Sequence, residues 1–217
     1  MAGRKLWIIL GTLVLIAAGC VAAWYALVHL PEQTALRSRV KALIEEGTEF
    51  RTKKDLSNAQ LKFKEALKLD PESDEALLAL ARCEISAYRF NDAIKRLNDL
   101  GARDNTEATQ SKVNRYLGEA YLGRYGDTRA NRDFLHASAN LERAKAAPEH
   151  RPRALASLGL LYLIRASEGQ GDSVDGPAKK VLEYWRELKR VAADSDEFRE
   201  IREQFENLER AFSSDNG

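Results

Sequence analysis

The sequence predicts an all-α fold: a superhelix of about four helix–turn–helix repeats, closed by a C-terminal capping helix and preceded by a single transmembrane helix. Three observations predict it. Gly47, Phe50, Ala59, Phe63, Ala66 and Pro71 fall at the spacings of two apposed helices, and Ala81, Ala93, Leu97 and Leu100 take the matching positions 34 residues later. Leu117, Gly118 and Tyr121 return as Leu158, Gly159 and Tyr162. Leu6 to Leu30 runs 25 residues without an Asp, Glu, Lys or Arg. A fixed period of this size marks stacked supersecondary units, and about 20 apolar residues suffice to cross a bilayer core.

Size and charge narrow the function classes. The 217 residues have room for one moderate domain and an anchor. Basic and acidic residues number 34 and 33, so no global field points to nucleic acid or an acidic small substrate. Of the two cysteines, Cys20 lies in the apolar run, which leaves Cys83 without a partner for an intrachain disulfide.

The amino-terminal elements follow in order. Residues 1–5 are a short basic tail and 6–30 the transmembrane helix. Trp24 and Tyr25 stand near its far end, where aromatic rings favour the headgroup region, and Pro31 stops it. A cleaved signal peptide is the alternative, but its apolar stretch would be about 7–15 residues. Ala17-Ala18-Gly19-Cys20 resembles a bacterial lipobox, which makes lipidation at Cys20 a distant alternative. Ala17 replaces the usual Leu, and Val21 to Leu30 would remain as a surplus apolar stretch. A short tail before a long domain favours an uncleaved anchor in a bacterial inner membrane with a periplasmic domain. A cytosol-facing signal anchor is the alternative, since Arg37, Arg39 and Lys41 after the span nearly balance Arg4 and Lys5. Residues 31–39 are expected as a linker and 40–194 as the repeat array.

Within the array, residues 40–73 place Leu43, Gly47 and Phe50 on one helix face and Ala59, Phe63, Ala66 and Leu67 on another. Pro71 separates this unit from the next. Residues 74–107 place Ala76, Leu77, Leu80, Ala81 and Ile85 against Ala93, Ile94, Leu97 and Leu100. Asn91 or Asp92 is the expected helix cap, and Gly101 the expected residue just past the helix end. The third and fourth units repeat at 41 residues: Leu117, Gly118, Tyr121, Ala137, Leu141 and Ala144 recur as Leu158, Gly159, Tyr162, Ala178, Leu182 and Trp185. Each therefore carries seven extra residues, expected as longer helices or as protruding loops at 123–134 and 167–177. Residues 195–212 form the capping helix, with Ser195 as its cap and Phe198, Ile201, Phe205, Leu208 and Phe212 on one face. Residues 213–217 are a polar tail.

The pairs Leu117-Gly118-x-x-Tyr121 and Leu158-Gly159-x-x-Tyr162, each followed by the A-x-x-x-L spacing, resemble the signature of the tetratricopeptide repeat (TPR) family. The resemblance implies a right-handed TPR-like superhelix that binds other proteins and carries no catalytic site. In that family, positions 2, 5, 9 and 12 of the first helix of each unit face the concave groove. Carried onto this chain, they are Lys41, Ile44, Thr48 and Arg51; Glu75, Leu78, Arg82 and Ile85; Lys112, Arg115, Glu119 and Leu122; and Arg153, Ala156, Leu160 and Leu163. The expected partner-binding residues are Lys41, Arg51, Leu78, Arg82, Lys112, Arg115 and Arg153; the six basic ones are suited to an acidic or extended peptide segment. The apolar fourth stripe is expected to pack on the 195–212 helix.

No catalytic, cofactor or metal site is expected. His29, His136 and His150 are scattered and lack ligand partners at metal spacing, and no phosphate-loop or nucleophile-elbow motif occurs. The expected function is a membrane-anchored scaffold or adaptor that holds a partner protein, a component of a membrane complex, in envelope assembly or secretion. A permanent structural subunit of a larger membrane complex is the alternative. Nucleic acid and small-molecule substrates are not expected.

Overall fold

The computed structural model describes residues 18, 19, 24, 32–104, 106–168 and 175–214. Apart from Ala18, Gly19 and Trp24, the expected 1–5 tail and 6–30 span lie outside these residues, as do Cys20, residues 169–174 and residues 215–217. Among the described residues all regular structure is helical, and no helix is long and apolar enough to cross a membrane. The helices are α1 (32–52), α2 (Leu56–Leu69), α3 (Asp74–Ser86), α4 (Phe90–Arg103), α5 (Glu107–Thr128), α6 (Asn131–Lys145), α7 (Arg151–Ser167), α8 (Asp175–Ala192) and α9 (Asp196–Ser214).

These pair as α1/α2, α3/α4, α5/α6 and α7/α8, the four expected units. Small residues on the first helix of a unit admit a large side chain from the second. A Cβ built on Gly47 would stand 2.6 Å from the Phe63 ring, one on Gly118 2.6 Å from Leu141, and one on Gly159 1.8 Å from Trp185. Each hydrophobic cluster spans one unit and the first helix of the next. Leu43 and Ile44 of α1, Phe63 of α2 and Leu80 of α3 share one cluster. Leu97 of α4 and Leu117 of α5 share the next with Ala81. Such overlap is how units that cannot bury their own apolar faces stabilise one another.

The first helices also form a row of their own: α3 touches α5, α5 touches α7 and α7 touches α9, whereas no comparable contact joins α4 to α6 or α6 to α8. A close inner row and a splayed outer row give a curved array whose concave face belongs to α1, α3, α5 and α7. Helix α9 packs on both α7 and α8, as α7 packs on α5 and α6, so the cap occupies the place of a fifth unit's first helix. Ser195 caps it, its Oγ accepting from the Phe198 N–H at 3.2 Å. Ala156 and Leu163 pack against the Phe198/Phe205 cluster, while Leu160 stays 42% exposed.

Three turns close the units through non-glycine residues in the left-handed region: Lys54 at φ 62°, Tyr88 at φ 58° and Arg129 at φ 55°. They fall 34 and 41 residues apart, the same steps as the repeat itself.

The longer period is built almost wholly from helix. Relative to the run beyond Ala81 in α3, α5 continues five residues further beyond Gly118, and α6 runs three residues longer before Leu141 than α4 before Leu97. The turn is one residue shorter, which accounts for the seven. Residues 123–134 are therefore helix extensions around a two-residue turn.

Residues 32–39, expected as a linker, are helical, exposed and continuous with 40–52. Three expectations are corrected. Gly101 lies inside the last turn of α4 and permits a close approach to α5, its built Cβ standing 3.2 Å from Val113 Cγ1. Neither Asn91 nor Asp92 caps α4: Tyr88 ends the previous helix so tightly that Arg89 takes the cap position without a side-chain bond. Asn91 Oδ1 instead accepts from Arg124 at 2.6 Å. In the fourth unit the residue over Gly159 is Trp185 rather than Leu182, so α8 is advanced by about one turn relative to a strict 41-residue step.

Candidate partner-binding groove

The unit spacing and the helix period together place the concave side chains. Arg51, Arg82, Arg115 and Arg153 hold the twelfth, ninth, fifth and second of the inward positions on α1, α3, α5 and α7. Each step to the next helix moves back about one turn, so the four run as a diagonal across the inner face. All four line one cavity of about 430 Å³.

A second cavity of about 640 Å³ adjoins it toward α1 and adds Ile44, Thr48, Glu75, Leu78, Lys112 and Tyr116 among others. Of the seven expected partner-binding residues, Arg51, Leu78, Arg82, Lys112, Arg115 and Arg153 line one or both cavities. Lys41 lines neither; its side chain is exposed and stands 3.9 Å from Glu45 one turn on. The residues shared by both cavities are Arg51, Arg82, Arg115 and His150.

These shared groups differ in how they are held. Arg115 Nη1 lies 3.4 Å from Glu119 Oε1, its guanidinium lies 4.0 Å from the Tyr116 ring centre, and its Nε is buried without a hydrogen-bond partner. Burial, and then the Arg82 charge, hold the Arg51 guanidinium below its ordinary pKa. Arg153 shares Glu119 at 3.4 Å and reaches Glu200 of α9 at 3.8 Å.

His150 is not among the expected groove residues. It is the cap residue of α7, with its backbone N–H donating to Ala147 O at 3.0 Å. It is 9% exposed, and its Nε2 is buried without a partner. Burial first, and then the Arg115 charge, push its pKa down, so the imidazole is held neutral. The available signal is positional: His150 precedes Arg151-Pro152-Arg153 at the entry of a groove-lining helix, and Pro in the first helical turn marks that entry.

Beyond Arg153 the face turns apolar. A cavity of about 590 Å³ is lined by Ile85, Phe90, Leu122, Ala156, Leu160 and Ile201 together with Tyr88 and several polar groups. Gly123 lets Phe90 lie flat there, since a Cβ would stand 2.3 Å from its ring. The groove thus has a basic half over α1–α5 and a more apolar half framed by the end of α3, α5, α7 and α9. Among the described residues no group of three or more His, Cys, Asp or Glu is placed to hold a metal ion.

An inner row of small-residue helices with an outer row of partners defines the helical-repeat class, and the family comparison agrees. Residues 50–113 match the family model of the tetratricopeptide repeat. This stretch covers the end of α1, α2 to α4 and the start of α5. Two solved structures are similar at low identity. A thermophilic TPR protein of Thermus thermophilus is 19% identical with a TM-score of 0.47, covering 78% of this chain and 98% of that one. Pseudomonas aeruginosa pilF is 17% identical with a TM-score of 0.33, covering 78% of this chain and 99% of that one. No curated protein matches the chain.

Proposed function

We propose that the chain is a membrane-anchored scaffold whose concave face holds an extended segment of a partner protein, a component of a membrane complex in envelope assembly or secretion. The segment is acidic where it crosses the arginine diagonal and apolar where it reaches Leu122 and Leu160. The observation that carries this reading is the convergence of Arg51, Arg82, Arg115 and His150 on the wall between two cavities. Guanidinium groups bind carboxylates through paired, charge-assisted hydrogen bonds. The charge-free run Leu6–Leu30 supports the anchor, and tethering raises the effective concentration of a weak groove at the membrane.

The test is crosslinking in native membranes followed by partner identification, comparing the unaltered chain with Arg51→Glu/Arg82→Glu. Neither guanidinium is ion-paired among the described residues, so charge reversal there orphans no acid. Partner recovery falls at least tenfold and weakens with salt; unchanged recovery overturns the groove reading. A reporter fused after residue 217 and active only in the cytoplasm overturns the periplasmic placement.

A further inference from the structure

The cations at the centre of the groove outnumber what a carboxylate uses in this protein. Glu84 takes the Arg96 fork at 3.1 and 2.8 Å and a second guanidinium, Arg89, at 3.9 Å. Asp133 takes the Arg124 fork at 2.9 and 2.6 Å and the Thr128 hydroxyl at 3.2 Å. Against this internal standard, Arg51, Arg82, Arg115 and His150 converge on one wall with more donors than a single carboxylate takes. Of the acids lining the two cavities, Glu119 is shared by Arg115 and Arg153, Asp74 is engaged by Arg103, and Glu149 lies close enough to act on His150; Glu75 and Glu197 line the walls as well.

Two buried polar atoms remain open. Arg115 Nε and His150 Nε2 are both out of solvent without a partner, and His150 is more than nine-tenths buried. A buried polar atom left unpaired is costly, and like charges held together are costly as well. A tetrahedral dianion relieves both at once: its oxygens accept from several guanidinium forks, and its second charge favours a proton on the imidazole.

We propose that Arg51, Arg82, Arg115 and His150 form a binding site for a phosphomonoester dianion, carried into the groove on the bound segment as a phosphorylated side chain. The inference rests on the groove reading for the identity of the carrier, but not for the site itself.

The test is calorimetry on the full-length chain in detergent, at pH 7 and constant ionic strength. The probes are a short amidated peptide bearing phosphoserine, the same peptide with Ser or with Glu at that place, and glycerol 3-phosphate. The phosphoserine peptide binds at least tenfold more tightly than the Glu peptide, and the Ser peptide does not bind measurably. Arg82→Gln and His150→Gln each weaken the phosphoserine peptide about tenfold without lowering the thermal midpoint, which separates lost binding from lost fold. Equal affinity for the Glu and phosphoserine peptides overturns the proposal, as does failure of the phosphoserine peptide to bind. If either occurs while Arg51→Glu/Arg82→Glu still abolishes partner crosslinking, this site is wrong and the groove reading stands. Glycerol 3-phosphate binding as tightly as the phosphopeptide supports the site and assigns it to small phosphates.

Discussion

Gly159 lies against the indole of Trp185 so closely that a Cβ built on it would stand 1.8 Å from Trp185 Nε1. Trp185 is fully buried and meets Phe205 of α9 edge-on, with ring centres 6.5 Å apart. One glycine therefore sets how α7, α8 and the cap come together. The expected cost of Gly159→Ala is at least about 3 kcal/mol, because an indole in a closed core has nowhere to move. Gly126 on α5 has open space where its Cβ would be, so Gly126→Ala stabilises by roughly 0.5–1 kcal/mol through helix propensity. Chemical denaturation of the two variants checks the pair; similar midpoints for both would refute the packing argument.

The left-handed turn at Lys54 gives a second prediction. A non-glycine residue there costs roughly 1–2 kcal/mol in backbone strain, and Lys54 is exposed. Lys54→Gly raises stability, by about 1 kcal/mol once the extra chain entropy of glycine is subtracted. Lys54→Val lowers it. Thermal melts that order the variants Val, Lys, Gly from least to most stable bear this out; a Gly variant no more stable than the parent does not.

Glu84 and Arg96 provide a third. Glu84 is 2% exposed and held by the Arg96 fork. Arg96→Ala leaves the buried carboxylate only Arg89 at 3.9 Å and costs roughly 3 kcal/mol, whereas Glu84→Leu/Arg96→Leu recovers part of that loss. A double-mutant cycle measured by urea unfolding reads the coupling; additive losses contradict it.

Acid lowers stability in two separate windows. The folded-state pKa of His150 is depressed, so protonation favours the unfolded chain: its effect is absent above about pH 6.5 and grows as pH falls below that value. Asp104 lies at about 2, held there first by Thr109 and the Thr106 N–H ahead of α5. Arg124 likewise holds Asp133 below its ordinary value. Both carboxylates contribute stability that is full above their unfolded pKa near 4 and lost as pH falls toward 2. Thermal midpoints across pH 8 to 2 show both steps, and His150→Gln removes the upper one alone. An upper step that survives the substitution assigns it to another group.

The units were legible because their pairing rests on local complementarity: Gly47 with Phe63 and Gly118 with Leu141 sit at separations that a repeat period displays directly. The arginine diagonal was legible for the same reason, since period and helix phase together place Arg51, Arg82, Arg115 and Arg153. What escaped reading depends on contacts between units. The burial of His150 depends on neighbours brought by other units, with Arg115 of α5 beside it, and no spacing around residue 150 announces them. The advance of α8 to bring Trp185 over Gly159 depends on how far α8 slides along α7. The left-handed turns at Lys54, Tyr88 and Arg129 carry no glycine to mark them, because packing of the paired helices overrides the local preference.

The arginine diagonal also has a mechanical meaning. Its members belong to four successive units joined only to their neighbours, so the distance from Arg51 to Arg153 follows the curvature of the whole arc. A ligand that grips both ends is a chord drawn across a bow. Bending the array open loosens its hold, and seating it takes the slack out of every joint between. A pull on either end of the array and occupancy of the groove are thereby coupled through shape, with no moving part other than the arc itself.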